Sequence, residues 1–185
     1  MPYNPEIHHR RSIRLKGYDY SRAGLYFITI CCQNRICRFG KIENGEMILN
    51  DFGKIAYDEW NKFPERFPNI ALDAFQIMPN HVHGIIALVN DSVGAGFTPA
   101  LDMDTPDKWA GTSPAPTIGD IIGAYKSLVA NQCLEICKLR NEYMGKLWQR
   151  NYWEHTIRNE QSYQQIADYI ISNSINWQKD KLYIE

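Results

Sequence analysis

Residues 25–33 (LYFITICCQ) are apolar, β-branched or aromatic with no helical period, and they predict a mostly buried strand. Residues 40–49 (GKIENGEMIL) place Asn44-Gly45 between two short runs, the dipeptide that supplies the positive φ angles of a two-residue hairpin turn. Asp51 is positioned to cap a helix to about Phe67, with Ile55, Trp60 and Phe63 on its buried face and Pro68 as the stop. Two further strands are expected over 70–78 and 82–89. Thr117 opens a long helix to about Leu139, because Ile118, Ile121, Ile122, Tyr125, Val129 and Ile136 recur at three- and four-residue steps. An extended stretch over 147–157 leads to a last helix capped by Asn159, whose buried side carries Tyr163, Ile166, Ile170, Ser174 and Trp177. A single antiparallel sheet backed by long helices is the simplest arrangement of this order, which makes the chain α+β and ferredoxin-like.

Between the strand over 82–89 and the long helix from Thr117, residues 90–116 hold three glycines and four prolines with no period, so a long loop is expected there. Loops of this length inside compact domains are usually functional lids or mobile, and both an element that orders over a ligand and a tolerated insertion stay open here. The 185 residues, 44% apolar and 12% aromatic, suit one globular domain and exclude disorder throughout. Apolar runs such as 85–89 fall far short of the ~20 residues of a membrane-spanning helix. The N-terminus carries charges where a signal peptide would be apolar, so a cytoplasmic location is the default. The five cysteines include no C-x-x-C pair, which favours reduced, mostly buried thiols over zinc or disulfides.

A net charge of −1 points away from nucleic acid until its distribution is read. Residues 1–41 carry eight basic side chains (Arg10, Arg11, Arg14, Lys16, Arg22, Arg35, Arg38, Lys41) against two acids, Glu6 and Asp19. A basic arm over 1–20 on a near-neutral body suits phosphate binding, with a solvated tail as the alternative.

The sharpest local feature is 79–86 (PNHVHGII). Side chains alternate along a strand, so His81 and His83 share a face and can share a metal ion, although two imidazoles need a third donor. Two solvent-facing or hydrogen-bonded histidines are the alternative. On the last helix Tyr169 and Asn173 are four apart, so a phenol and a carboxamide project from one edge of the flank, and the amide oxygen is a hard ligand. Taken alone, a surface tyrosine beside a helix-end asparagine is the stronger reading of these two residues. Tyr125 sits mid-stripe on its own helix, where core packing is the expected role.

Taken together, 79–86, then 147–159 (LWQRNYWEHTIRN), then 168–173 (DYIISN) resemble, in order and spacing, the REP-associated tyrosine transposases, relatives of the single-tyrosine HUH transposases. The resemblance spans about residues 20–178 and implies a ferredoxin-like catalytic domain over 21–178, with a C-terminal catalytic helix and a short tail over 179–185. It implies cutting and rejoining of single-stranded DNA next to a hairpin. By position, His81 and His83 match the metal ligands, Tyr169 the nucleophile and Asn173 the third ligand, with Mg²⁺ or Mn²⁺ as the ion. The chain has Asn173-Ser174 where the family has Asn-Pro, so the resemblance does not fix where that helix ends.

The same resemblance gives the basic and aromatic residues a substrate. Arg10, Arg11, Arg14 and Lys16 would contact hairpin phosphates, and Trp148, Tyr152 and Trp153, with Arg150 among them, would stack on unpaired bases. At least two of these aromatics are expected to be core, Trp153 foremost, and His155 is expected to be a satisfied structural histidine. A homodimer is left open, since active sites built from two subunits occur in the wider family. The competing functions are a non-catalytic single-strand-binding module and a hydrolytic metal-dependent nuclease.

Overall fold

A computed structural model describes residues 24–89 and 116–184. The N-terminal arm with Arg10, Arg11, Arg14 and Lys16, and the expected 90–116 loop except its last residue, lie outside the described residues. In chain order the elements are β1 (Gly24–Cys31), β2 (Gly40–Glu43), β3 (Glu46–Leu49), α1 (Asp51–Asn61), α2 (Phe63–Arg66), β4 (Ile70–Met78), β5 (His81–Leu88), α3 (Ile118–Leu139), β6 (Trp153–Ile157) and α4 (Glu160–Ser172). The main sheet has the order β4-β5-β1-β6 with every neighbouring pair antiparallel, and β2–β3 form a separate two-stranded sheet. With α1 and α3 as the two crossovers, this is the expected ferredoxin-like α+β arrangement, to which the β2–β3 hairpin and α4 are added. No helix of the described residues is long and apolar enough to cross a membrane.

Local chemistry explains most boundaries. Asn44 and Gly45 both adopt left-handed backbone, at φ 52° and 82°, which closes the hairpin in two residues. Thr117 caps α3 in a capping box with Asp120, and the Asn159 side chain accepts from Ser162 N at the start of α4. The cap of α1 is Asn50 rather than Asp51: its side chain accepts from Gly53 N at 3.0 Å, and Asp51 instead pairs with Arg140. The expected single helix to Phe67 is broken after Asn61, because Pro64 has no N–H to give to the carbonyl of Trp60 and continue the ladder.

The strands divide their side chains between two faces. Tyr26, Ile28, Ile30, Val82 and Ile86 point toward α1 and α3, where they meet Trp60, Ile118, Ile121, Ile122, Tyr125 and Val129 in the main core. Gly84 belongs to this face, since a Cβ there would lie 2.3 Å from the Trp60 ring. The opposite face holds a smaller cluster of Ile85, Ile157, Ala167 and Ile170 under α4. His81 and His83 share the strand parity of Ile85, so they open onto the α4 side.

Candidate active site

The turn that starts β5 is tied down by Asn80. Its backbone oxygen accepts from Cys32 N at 2.8 Å, and its Nδ2 donates to the carbonyls of Arg35 (3.0 Å) and Leu182 (2.8 Å). That fixes the amide so that Oδ1 faces His81 Nδ1 at 2.8 Å. An amide oxygen only accepts, so His81 carries its proton on Nδ1 and presents a bare Nε2 lone pair. This Nε2 is buried and has no hydrogen-bond partner.

His83 lies beside it, with ring centroids 4.3 Å apart. Its Nδ1 meets Thr29 Oγ1 at 2.8 Å, and its Nε2 meets the Tyr169 hydroxyl at 3.1 Å. The Tyr169 hydroxyl gives its one proton to Asp180 Oδ2 at 2.7 Å, and the carboxylate can only accept. His83 therefore donates from Nε2 to the phenol oxygen, and Nδ1 accepts from Thr29. Because Thr29 is a hydroxyl, it serves the other tautomer as well, which frees Nε2 as a ligand.

Asp180 organises the rest. Asn173 Nδ2 donates to Asp180 Oδ2 at 2.7 Å, and Leu182 N donates to Oδ1 at 2.6 Å. With its nitrogen so engaged, Asn173 leaves Oδ1 buried and without a partner. Two orphaned acceptors, His81 Nε2 and Asn173 Oδ1, in a pocket that also holds His83 and a carboxylate, are the signature of a cation site. His81, His83 and Asp180 offer ligand atoms that all lie within 4.8 Å of one another, a group able to hold a metal ion. The donor set fits a divalent cation.

Burial first, and then its neighbour His83, hold the His81 imidazole well below its usual ionisation, with Asp180 opposing. Burial also pushes His83 down, to about 4, again against Asp180. Both rings are thus neutral at pH 7 and keep a lone pair for a metal. Burial, and then the bond to Asp180 and its charge, raise the Tyr169 phenol above its ordinary value. Partial burial pushes the Asp180 carboxyl up, but the bonds from Asn173, Tyr169 and Leu182 outweigh it and keep the acid ionised. Phe27 packs on His83 at 5.3 Å and meets Tyr169 edge-on at 6.3 Å, while Trp177 flanks His81 at 5.9 Å.

No model of a known protein family matches the chain. An uncharacterized protein of Haemophilus influenzae is 45% identical over 183 residues, which cover 99% of this chain and 98% of that protein. The REP-associated tyrosine transposase of Escherichia coli is 24% identical over 156 residues, covering 84% of this chain and 69% of its own. The solved structure of a REP-associated tyrosine transposase bound to a REP hairpin superposes with a TM-score of 0.51 at 18% identity, over 91% of this chain and 76% of that one. The chain is thus similar in sequence to REP-associated tyrosine transposases and shares their fold.

The structure brings together all four residues singled out for metal binding and attack, His81, His83, Asn173 and Tyr169. The DNA-facing set fares differently. Trp148 is buried, packs on Phe39 and Tyr125, and donates from its indole to Lys126 O at 3.0 Å, so it belongs to the core and not to a stacking surface. Tyr152 is half-buried against the same core, and Arg150 is exposed. Trp153, expected in the core, is 59% exposed, and His155, expected to be a satisfied structural histidine, is exposed too. Asp180 was missed: it lies beyond α4, in the short terminal segment, where no periodicity links it to Asn173. The departure at Ser174 leaves α4 ending at Ser172 with Asn173 as its cap.

Proposed function

We propose that this protein acts as a REP-associated tyrosine transposase, cutting and rejoining single-stranded DNA beside a hairpin through a 5′-phosphotyrosine link on Tyr169. The observation that carries this reading is the Tyr169 hydroxyl, 42% of whose residue is open to solvent, seated 3.1 Å from an imidazole of a buried His pair. The hairpin as partner is supported by the solved relative bound to a REP hairpin.

His81, His83 and Asn173 would hold Mg²⁺ or Mn²⁺, with Asp180 at the same pocket. When bound, such a cation offsets charge on a phosphate oxygen and favours the phenolate. Tyr169 Oη forms a bond to phosphorus as the bond from phosphorus to the 3′-oxygen breaks. The phenol proton leaves along its existing hydrogen bond to Asp180 Oδ2, and the 3′-oxygen takes a proton from solvent to become a hydroxyl. Rejoining reverses this: an incoming 3′-hydroxyl gives its proton to solvent as its oxygen bonds to phosphorus, the bond from phosphorus to Tyr169 Oη breaks, and Tyr169 recovers a proton through Asp180. A phenolate is a competent leaving group, so the phosphodiester energy is conserved between the two steps. Arg10, Arg11, Arg14, Lys16 and Arg150 would supply phosphate contacts.

The test is incubation with a single-stranded hairpin DNA and Mn²⁺, followed by a denaturing gel. A protein–DNA adduct, absent in Tyr169→Phe, is expected. Cleavage with no adduct would point to a hydrolytic nuclease, and salt-sensitive binding with no cleavage would point to a binding module.

A further inference from the structure

We propose that the open end of the β6 edge, Trp153 with His155 beside it, is a stacking subsite for an unpaired base of the DNA strand engaged at Tyr169. The proposal rests on the transposase reading above and extends it to a part of the protein outside the metal pocket.

Trp153 is 59% exposed on an edge strand. A ring standing open on a sheet edge offers a flat face on which a base can stack. Its place in the sheet gives it a use. Trp153 is paired with Thr29, and Thr29 gives its side chain to His83 Nδ1 at 2.8 Å. Directly paired residues of antiparallel strands share a face, so Trp153, Thr29 and His83 run across three adjacent strands on the α4 side of the sheet. Neighbouring strands are about 4.8 Å apart, which puts the Trp153 backbone about 10 Å from that of His83. A short stretch of single strand bridges that distance.

Two residues along β6, His155 is paired with Phe27, the ring that packs on His83 and meets Tyr169. A line of rings therefore leads from the nucleophile to the edge. α4 packs on β4 and β5, and it tucks Ile157 into the small cluster while Trp153 and His155 stay open. The charges match a polyanion. Glu154, the one acid of β6, pairs with buried Ile28 and so faces the opposite side, where its carboxylate oxygens are buried. Exposed Arg150 and Arg158 bracket the strand. Flat rings flanked by cations, with the strand's acid turned away, suit a nucleobase and its phosphates, and stacking needs no particular base.

The experiment measures fluorescence anisotropy of a labelled DNA hairpin with single-stranded tails, titrated with the intact protein and its variants in Mn²⁺. Trp153→Ala is expected to bind about tenfold more weakly, in the range of one lost base–aromatic stack. Trp153→Phe should stay close to the parent, and both should hold Mn²⁺ alone as the parent does. An abasic substitution scanned through the tail should weaken the parent at one position and leave Trp153→Ala indifferent there. Equal DNA affinity of Trp153→Ala and the parent overturns the subsite, as does a change confined to oligomeric size in the same samples, which would assign the edge to a second copy. Failure of the parent to bind any hairpin DNA overturns the transposase reading itself, and with it this proposal.

Discussion

The two faces of the main sheet are built from alternate residues of the same four strands, yet they are organised by different physics. On the α1/α3 face, Tyr26, Ile28, Ile30, Val82 and Ile86 meet helices whose apolar stripes are largely buried, and Tyr125 donates to Ala56 O at 2.9 Å. On the α4 face a few apolar residues hold the helix down, and the buried volume next to them is given to two histidines, an asparagine and a hydroxyl. Each apolar side chain buried on the first face contributes about 1.5–3 kcal/mol. A polar atom buried without a partner costs about 1–3 kcal/mol, and both faces carry some, Trp60 Nε1 and the Glu154 carboxylate on the first and His81 Nε2 and Asn173 Oδ1 on the second, but only the second gathers them around a tyrosine hydroxyl. The contrast separates a face that holds the fold from a face that holds chemistry on it.

The sharpest way to break this contrast is to remove one oxygen. Tyr169→Phe should abolish the covalent DNA adduct while shifting stability by less than about 1 kcal/mol, since Asp180 keeps its bonds from Asn173 and Leu182. A large loss of stability in urea unfolding would mean that the α4 face is structural after all. The converse substitution is Trp60→Ala on the packed face. It should cost about 3–5 kcal/mol by urea unfolding and affect the adduct only through the fraction folded.

Acid provides the next largest effect. His83 is pushed down to about 4 in the folded chain against 6.5 ordinarily, so between these values the unfolded chain takes up a proton that the native state refuses. Stability is complete above about pH 6.5 and falls by about 3 kcal/mol as the pH drops toward 4, with His81 acting in the same direction. Unfolding curves recorded with a chelator present check this, and a flat profile would show that the histidines are not buried. The smallest expected effect is that of Thr29→Val, which removes the partner of His83 Nδ1. It should weaken Mn²⁺ binding by about 10–100-fold in calorimetric titration, as loss of a ligand's outer partner does, with little change in Tm.

How much of this was legible varies with the range of the signal. The Asn44-Gly45 turn, the Thr117 cap and the Asn159 cap are written in neighbouring residues, and each stands where local chemistry placed it. The His81/His83 pair and the Tyr169/Asn173 pair were legible because strand and helix periods put each pair on one side. The choice of Asn50 over Asp51 as a cap was not, since both residues cap well and Arg140, distant in sequence, claims Asp51. The aromatic segment was misjudged for a related reason. Trp148 and Trp153 are of opposite strand parity, and only the pairing of this segment with β1 decides which of them faces the core.

The sequence by itself determined the order of the elements and the two candidate pairs, His81/His83 and Tyr169/Asn173, because periodicity and capping act over a few residues. Only the tertiary structure decided that the pairs meet, that Asp180 joins them from beyond α4, and that Trp153 and not Trp148 lies open beside them. Those outcomes depend on strand register and on where the chain returns after a helix, and both are set by how two faces of one sheet are covered.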